Sequence, residues 1–528
     1  MTGADPRYCS VDDRTMGGML RWKAQQDPDG LALVCGRARW TWRMLNERTN
    51  RVAAALRGLG FGVGDRVGLF LTNHADYLAW YLALAKTGVV GVPVNPALTA
   101  PELAYIVADS GCRLLLVDEG RHPTAAGMPA ALPAGTPAPA QLLLGSSEYR
   151  ELLESADPGE PPGSIDPAAA FFMCYTSGTT GAPKGCVQSH RGFVDHHRRC
   201  HDGFGFGPDD VMLIPGPLFH EAPALFSLAQ LFFGGTVVVL ETFTPELAVA
   251  ALRAERCTTV GFAVPVMLQR ICQHLAATGD RDDWTGLRSV VVAGAPLLAE
   301  TMHAVLDTFP ATALIEFYGA TELGVATFVD HRECPERGRT AGRPFPGMAT
   351  LILDETGERL PTGEVGEIFV SPVMMDGYHR RPEATAEATR RFGEASWLSL
   401  GDLGYLDADG YLQVVDRKKH MIISGGENVY PVEVENVLVD HPAVLDAAVL
   451  GLPDQRWGEI VTAAVVTAAG ADLGLDEVDA FCRARLAPYK VPKRVFVLDD
   501  LPRTASGKVL KHVLRADLLA RATVAAPN

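Results

Sequence analysis

Residues 175–185 read Tyr-Thr-Ser-Gly-Thr-Thr-Gly-Ala-Pro-Lys-Gly, four Ser/Thr hydroxyls, three glycines and one lysine placed after an apolar stretch at 168–174. Glycine permits positive φ and close backbone approach, so amide groups, hydroxyls and a lysine cation can together surround a polyphosphate. The run differs from the common phosphate cradle ending in Gly-Lys-Ser/Thr, because Gly185 follows Lys184. It points to another way of holding a nucleotide. A plain Gly/Thr linker would not combine a preceding strand, Pro183 and a lone lysine.

Further runs with chemical potential follow in order: Gly294-Ala295-Pro296, Phe317-Tyr318-Gly319-Ala320-Thr321-Glu322, Trp397-Leu398-Ser399-Leu400-Gly401-Asp402, Arg417 within a charged turn, Ser424-Gly425-Gly426-Glu427-Asn428, and Pro502-Arg503-Thr504-Ala505-Ser506-Gly507-Lys508. Over residues 41–508, and in this order, the chain resembles the adenylate-forming superfamily of acyl-CoA synthetases, peptide-synthetase adenylation domains and beetle luciferases. The resemblance implies that Thr176, Ser177, Gly178, Thr179, Thr180 and Lys184 close over the β- and γ-phosphates of ATP. It gives Gly294, Ala295 and Pro296 the adenine-side turn and stacks Tyr318, next to Gly319, near adenine. Thr321 then bonds the α-phosphate and Glu322 holds Mg²⁺, in keeping with a hard cation's preference for oxygen ligands.

By the same resemblance Asp402 accepts hydrogen bonds from both ribose hydroxyls, which suits an ionised, acceptor-only carboxylate. Arg417 is a second ribose contact. Relatives usually carry Thr where this chain has Leu400. Lys508 bridges the substrate carboxylate and the α-phosphate, where a point cation offsets the repulsion of two anions. The implied reaction has two halves. A carboxylate attacks the α-phosphorus of Mg-ATP to give an acyl-adenylate and pyrophosphate, and the thiol of coenzyme A then displaces AMP. Between the halves a small domain rotates about Lys419, withdrawing Lys508 and bringing Gly425 and Gly426 to the pantetheine channel, where absent side chains leave room.

Phe219-His220-Glu221 bears on the acid. Amino-acid adenylation domains commonly place Asp after that Phe to pair with the α-amino group; here it is His220. The expected substrate is therefore a small-molecule carboxylic acid without that amino group, with His220 positioning it. The pocket is expected from Phe219, Glu221, Phe262, Val264, Val266, Met267, Ala293 and Ala320, mostly apolar, hence an aliphatic or aryl acid. Glu221 could meet a cationic or hydroxylated group. The expected acceptor is coenzyme A; a carrier-protein thiol, or an amine as in nitrite-activating relatives, are the alternatives. A non-catalytic nucleotide sensor would be expected to have lost Lys184, Glu322 or Lys508, and all three are present.

Composition sets the frame. The chain has 528 residues, more than one hydrophobic core usually supports, and is 47% hydrophobic and 21% charged. Its formal charge of −16 argues against nucleic-acid binding through a broad basic surface. Ten cysteines without a Cys-x-x-Cys pair argue against a zinc site or a disulfide scaffold and favour reduced thiols in a cytoplasmic protein. No uninterrupted apolar run is long enough for a transmembrane helix.

The elements that must position these residues are legible in outline. Apolar runs at 67–71, 114–117, 236–240 and 289–293 read as buried strands. Between them, Val52, Leu56 and Leu59, and Leu247, Ala251 and Ala254, repeat at helical spacing. The alternation predicts an α/β class: a large N-terminal domain of layered, mostly parallel sheets with helices over residues 1–416, and a small α+β domain over 417–528, which the resemblance makes mobile about a hinge near Lys419. Residues 123–139 read as a surface loop and His196–Arg199 as a solvated helix face. A hairpin turn is expected at Asp407-Ala408-Asp409-Gly410, before the charged turn, and the second domain is expected to hold a strand at 421–423, helices from Pro431, from Leu475 and after Lys508, and strands near Ala447 and Val461.

Overall fold

The computed structural model describes residues 15–176, 182–279, 284–295, 297–337, 340–424, 427–454, 456–467, 473–503 and 509–524. Valine-rich segments such as Thr236–Val239 and Ser289–Val292 are buried along most of their length, as strands covered on both faces must be. They lie in a nine-stranded sheet. It runs from Arg343–Pro344 through Gly324–Asp330, Ala313–Ala320, Ser289–Val292, Thr259–Ala263, Val211–Ile214, Thr236–Val239 and Leu31–Cys35 to Ala38–Thr41. Its interior pairings are parallel and its two ends antiparallel.

A second sheet of seven strands orders Gly377–Tyr378, Lys184–Ser189, Ala170–Thr176, Val90–Pro93, Arg66–Phe70, Leu114–Val117 and Ala140–Leu143. Its last five strands are parallel, and Ala170–Thr176 and Lys184–Ser189 form an antiparallel pair. The helix Ala75–Thr87 is buried at every position, which matches its near-continuous apolar sequence. Both sheets belong to a large compact unit formed by residues 1–349 and 370–398.

The smaller unit comprises residues 350–369 and 399–528. Asp402–Leu406 and Leu412–Arg417 form an antiparallel hairpin whose turn is closed by the Asp407 N–H on the Tyr411 carbonyl and the Gly410 N–H on the Asp407 carbonyl. Val444–Asp454 pairs antiparallel with Gly458–Thr467, and Arg494–Leu498 adds to the latter in parallel. The helices Pro431–Val439, Leu475–Arg483 and Lys511–Val524 start where the sequence placed them, and the core gathers Ile422, Val434, Leu438, Val461 and Val478. The architecture is thus the expected α/β unit of mostly parallel sheets plus a smaller α+β unit.

Two local expectations need correction. Residues 123–139 are not simply loop: His122–Gly127 is helical and Met128–Ala131 forms a 3-10 turn, because Ala125 and Met128 anchor on Leu103 and Val107. The His196–Arg199 face is not solvated throughout. His196 and His197 are fully buried, since the helix His190–Phe204 turns His190, Phe193, His197 and Cys200 inward at helical spacing. The repeat of Leu247, Ala251 and Ala254 does lie on a helix, Pro245–Ala254, whose buried stripe is Ala248, Val249 and Leu252 while Leu247 is exposed. Among the described residues no helix is long and apolar enough to cross a membrane.

Candidate active site

The hairpin that carries the hydroxyl-rich turn is held in register by Tyr175 opposite Gly185 and Thr176 opposite Lys184. Thr176 and Lys184 therefore flank the turn as direct cross-strand neighbours. Ser177, Gly178, Thr179 and Thr180 lie outside the described residues, as do Pro296, Gly425, Gly426 and Lys508.

Thr321 and Glu322 follow the strand Ala313–Ala320 in a tight turn. The Leu323 N–H donates to the Ala320 carbonyl at 2.9 Å, and Gly324 takes a φ of +68°. This turn folds Glu322 back toward the hairpin, where it is buried to 5% exposure. Its Oε1 accepts from the Thr176 hydroxyl at 3.2 Å and from the Tyr378 hydroxyl at 2.8 Å. The Tyr378 ring lies 5.2 Å from the Lys184 ammonium, a cation–π distance. Two hydroxyls thus meet at one carboxylate oxygen, with the Lys184 ammonium on the ring of the second. The donor set suits a hard cation that binds through few protein ligands: one carboxylate with hydroxyl oxygens beside it. A Mg²⁺ held by Glu322 would take its remaining ligands from phosphate and water.

The Thr321 peptide is fixed from behind. Gln188 Nε2 donates to the Thr321 carbonyl at 2.5 Å, and the Cys186 thiol approaches the same oxygen at 3.8 Å. Beside Gln188 sits Glu221, buried, with Oε1 unpartnered. Burial pushes its carboxyl up to about 8, and the Glu322 charge adds to the effect while the Gln188 hydrogen bond opposes it. Glu221 is therefore held protonated at neutral pH, next to a carboxylate one of whose oxygens accepts two hydrogen bonds.

His220 caps the helix Glu221–Phe232, its ring 4.2 Å from that of Phe219. Burial lowers its imidazole to about 4, so it is neutral at pH 7. Phe262 stacks on Phe226 at 6.2 Å and lies at the same distance from Phe317. Gly294 adopts a φ of +90°, and a Cβ there would lie 3.3 Å from Val264 Cγ1 and 3.8 Å from Phe262. Gly294 and the cluster of Phe226, Phe262 and Phe317 are thus neighbours, with Ala295 next along the chain. Met267 closes the first turn after Val264, its N–H on the Val264 carbonyl. Tyr318, Gly319 and Ala320 run along the end of their strand, partly exposed, and a side chain at Gly319 would collide with the Gly324 carbonyl. Ala293 is buried and Val266 is half exposed.

In the smaller unit, Asp402 and Arg417 are register partners across the hairpin, and Arg417 Nε sits 2.8 Å from Asp402 Oδ1. The buried carboxylate is thereby oriented by the second residue singled out with it. Beside Leu400, the Ser399 hydroxyl donates to Glu367. Sequence reasoning missed Tyr378 and Gln188. Each stands on a strand whose pattern reads as ordinary sheet, and only the pairing of Gly377–Tyr378 onto Lys184–Ser189 brings Tyr378 to the turn.

A family model described as AMP-binding enzyme matches residues 20–379, and one described as AMP-binding enzyme C-terminal domain matches residues 433–508. The chain is 39% identical to a feruloyl-CoA synthase from Amycolatopsis sp., covering 94% of this chain and 98% of that protein. It is 36% identical to the fatty acid–[acyl-carrier-protein] ligase ScoC of Streptomyces coeruleorubidus, over 95% and 96% of the two chains. The crystal structure of ATP-bound MatB from Rhodopseudomonas palustris superposes with a TM-score of 0.86 at 30% identity, covering 96% of this chain and 99% of that one.

Proposed function

We propose that this chain, which belongs to the adenylate-forming AMP-binding enzyme family, activates an aliphatic or aryl carboxylic acid with ATP and passes the acyl group to coenzyme A. The observation that carries the proposal is the meeting of the Thr176 and Tyr378 hydroxyls on Glu322, with the Lys184 ammonium over the Tyr378 ring. In the first half-reaction a carboxylate oxygen bonds to the α-phosphorus and the bond to pyrophosphate breaks. Lys184 and Thr176 balance charge on the departing phosphates, and Thr321 donates to the α-phosphate. Mg²⁺ at Glu322 supplies charge neutralisation when bound. Lys508 lies between the two reacting anions, and Asp402, oriented by Arg417, accepts from the ribose hydroxyls.

Neutral His220 serves to place the acid; an imidazolium there would hold the carboxylate away from phosphorus. In the second half-reaction the coenzyme A thiol attacks the acyl carbon and AMP leaves. The smaller domain, turning about Lys419, presents Gly425 and Gly426 to the pantetheine arm. A second reading has a carrier-protein thiol as acceptor, favoured by the 36% identity to ScoC. One experiment separates them. A panel of acids is incubated with Mg-ATP and, in turn, coenzyme A, phosphopantetheinyl carrier protein or an amine, and products are identified by mass. Acyl-CoA as the major product supports the first reading. Acyl-carrier or amide products with no acyl-CoA would replace it, and no acid-dependent pyrophosphate release would overturn both.

A further inference from the structure

The helix Ala100–Ser110 carries Tyr105 and Asp109 four residues apart and hence on one face. The Tyr105 hydroxyl donates to the Pro183 carbonyl at 2.8 Å, and the Tyr175 hydroxyl donates to Asp109 Oδ2 at 2.7 Å. The other carboxylate oxygen of Asp109 accepts from Arg381 at 3.0 Å, so the carboxylate is held at both ends. Arg380, at a positive φ of 51°, also reaches the Asp109 carbonyl. One helix face therefore grips both arms of the hairpin, at the residue before Thr176 and at the residue before Lys184. Burial, with the Asp109 hydrogen bond, raises the Tyr175 hydroxyl, which stays protonated and able to donate.

These ties matter because of where they act. Thr176–Lys184 is the last register pair of the hairpin among the described residues, so the ties from Tyr105 and Asp109 act one residue back from that end on each strand. We propose that Tyr105 and Asp109 are positioning residues that fix Thr176 and Lys184 relative to each other, and so set how much more tightly the protein holds ATP than AMP. The inference rests on the reading above, in which Thr176 and Lys184 face the β- and γ-phosphates. AMP lacks those phosphates, so its affinity is indifferent to the brace. A merely structural role for the helix would weaken both nucleotides alike.

Calorimetric titration of the full chain with Mg-ATP and with AMP tests this without knowledge of the acid. Tyr105→Phe and Asp109→Asn are expected to weaken ATP about 3- to 10-fold, the loss of one hydrogen bond, and to leave AMP within about 2-fold. Lys184→Ala is the control and should weaken ATP at least as much. Equal loss for both nucleotides, or unchanged ATP affinity in Tyr105→Phe, overturns the brace. If Lys184→Ala itself leaves ATP binding intact, the phosphate reading fails and the brace with it. If Asp109→Asn fails to fold, Tyr105→Phe alone decides, because it removes one hydroxyl and keeps the ring.

Discussion

The Tyr378 hydroxyl donates to Glu322 Oε1 at 2.8 Å, from a strand 56 residues further along the chain. The bond fixes one oxygen of a buried carboxylate and leaves the ring face to Lys184. Hydrogen bonds to charged groups are the stronger kind, worth about 1.5–3 kcal/mol. Tyr378→Phe keeps the ring and removes only the tie. Its expected effect is a roughly 10-fold rise in the Mg²⁺ concentration needed for half-maximal pyrophosphate release, with KM for the acid unchanged. A shift in acid KM with an unchanged Mg²⁺ requirement would place Tyr378 elsewhere in the reaction.

Glu221 makes a prediction about pH. Its carboxyl is raised from 4.5 to about 8 in the folded protein, chiefly by burial. Between those values the unfolded chain has released the proton and the folded chain retains it, so stability falls as pH rises from about 5 to 8 and levels off above. Glu221→Gln removes this dependence. The variant should gain on the parent across that window, by on the order of 4 kcal/mol at pH 8. Urea unfolding at several pH values measures it; a constant difference between the two proteins would mean the carboxylate is charged in the fold.

The buried histidines act in the opposite direction. Burial depresses His190 and His220 to about 4, His197 to about 3, and His196 as well. Below pH 6.5 the unfolded chain takes up protons that the folded chain refuses, so stability drops as pH falls from 6.5 toward 4. His197 packs between Phe193 and Phe232 with neither ring nitrogen partnered. His197→Phe should therefore flatten the acid limb of the stability curve while holding or raising the plateau at pH 7. An unchanged acid limb, followed by denaturant midpoint, would show that His197 is already protonated in the fold.

These histidines also mark the limit of what the sequence discloses. His196-His197-Arg198-Arg199 reads as a polar helix face because composition alone favours solvent for that run. The helix places its neighbours Phe193 and Cys200 against the sheet, and the histidines go with them. Strands such as Leu114–Val117 were legible to the residue, since four consecutive buried apolar side chains have few other uses. Asp402 and Arg417 were both legible as motif residues, but not as a pair: that required the register of a hairpin. Gln188 and Tyr378 were not legible at all. Their partners, the Thr321 carbonyl and Glu322, lie more than fifty residues away, and nothing local announces a side chain that acts on a distant peptide.

The two half-reactions make different demands on charge, and the proposed role of Lys508 separates them. In adenylation two anions must meet, and one well-placed cation lowers the barrier by offsetting their repulsion. In thioester formation the thiol attacks a neutral acyl carbon and AMP departs, so the same cation has no second anion to neutralise. Lys508→Ala should reduce acid-dependent pyrophosphate release by about 100-fold or more, within the range seen when one electrostatic stabiliser is removed. Thioester formation from supplied acyl-adenylate and coenzyme A should stay within about 3-fold of the parent, a difference of under 1 kcal/mol. Rapid-quench measurement of each half separately checks the split. Equal damage to both halves would mean that Lys508 holds the fold or the nucleotide throughout, and the proposed rotation about Lys419 would lose its purpose.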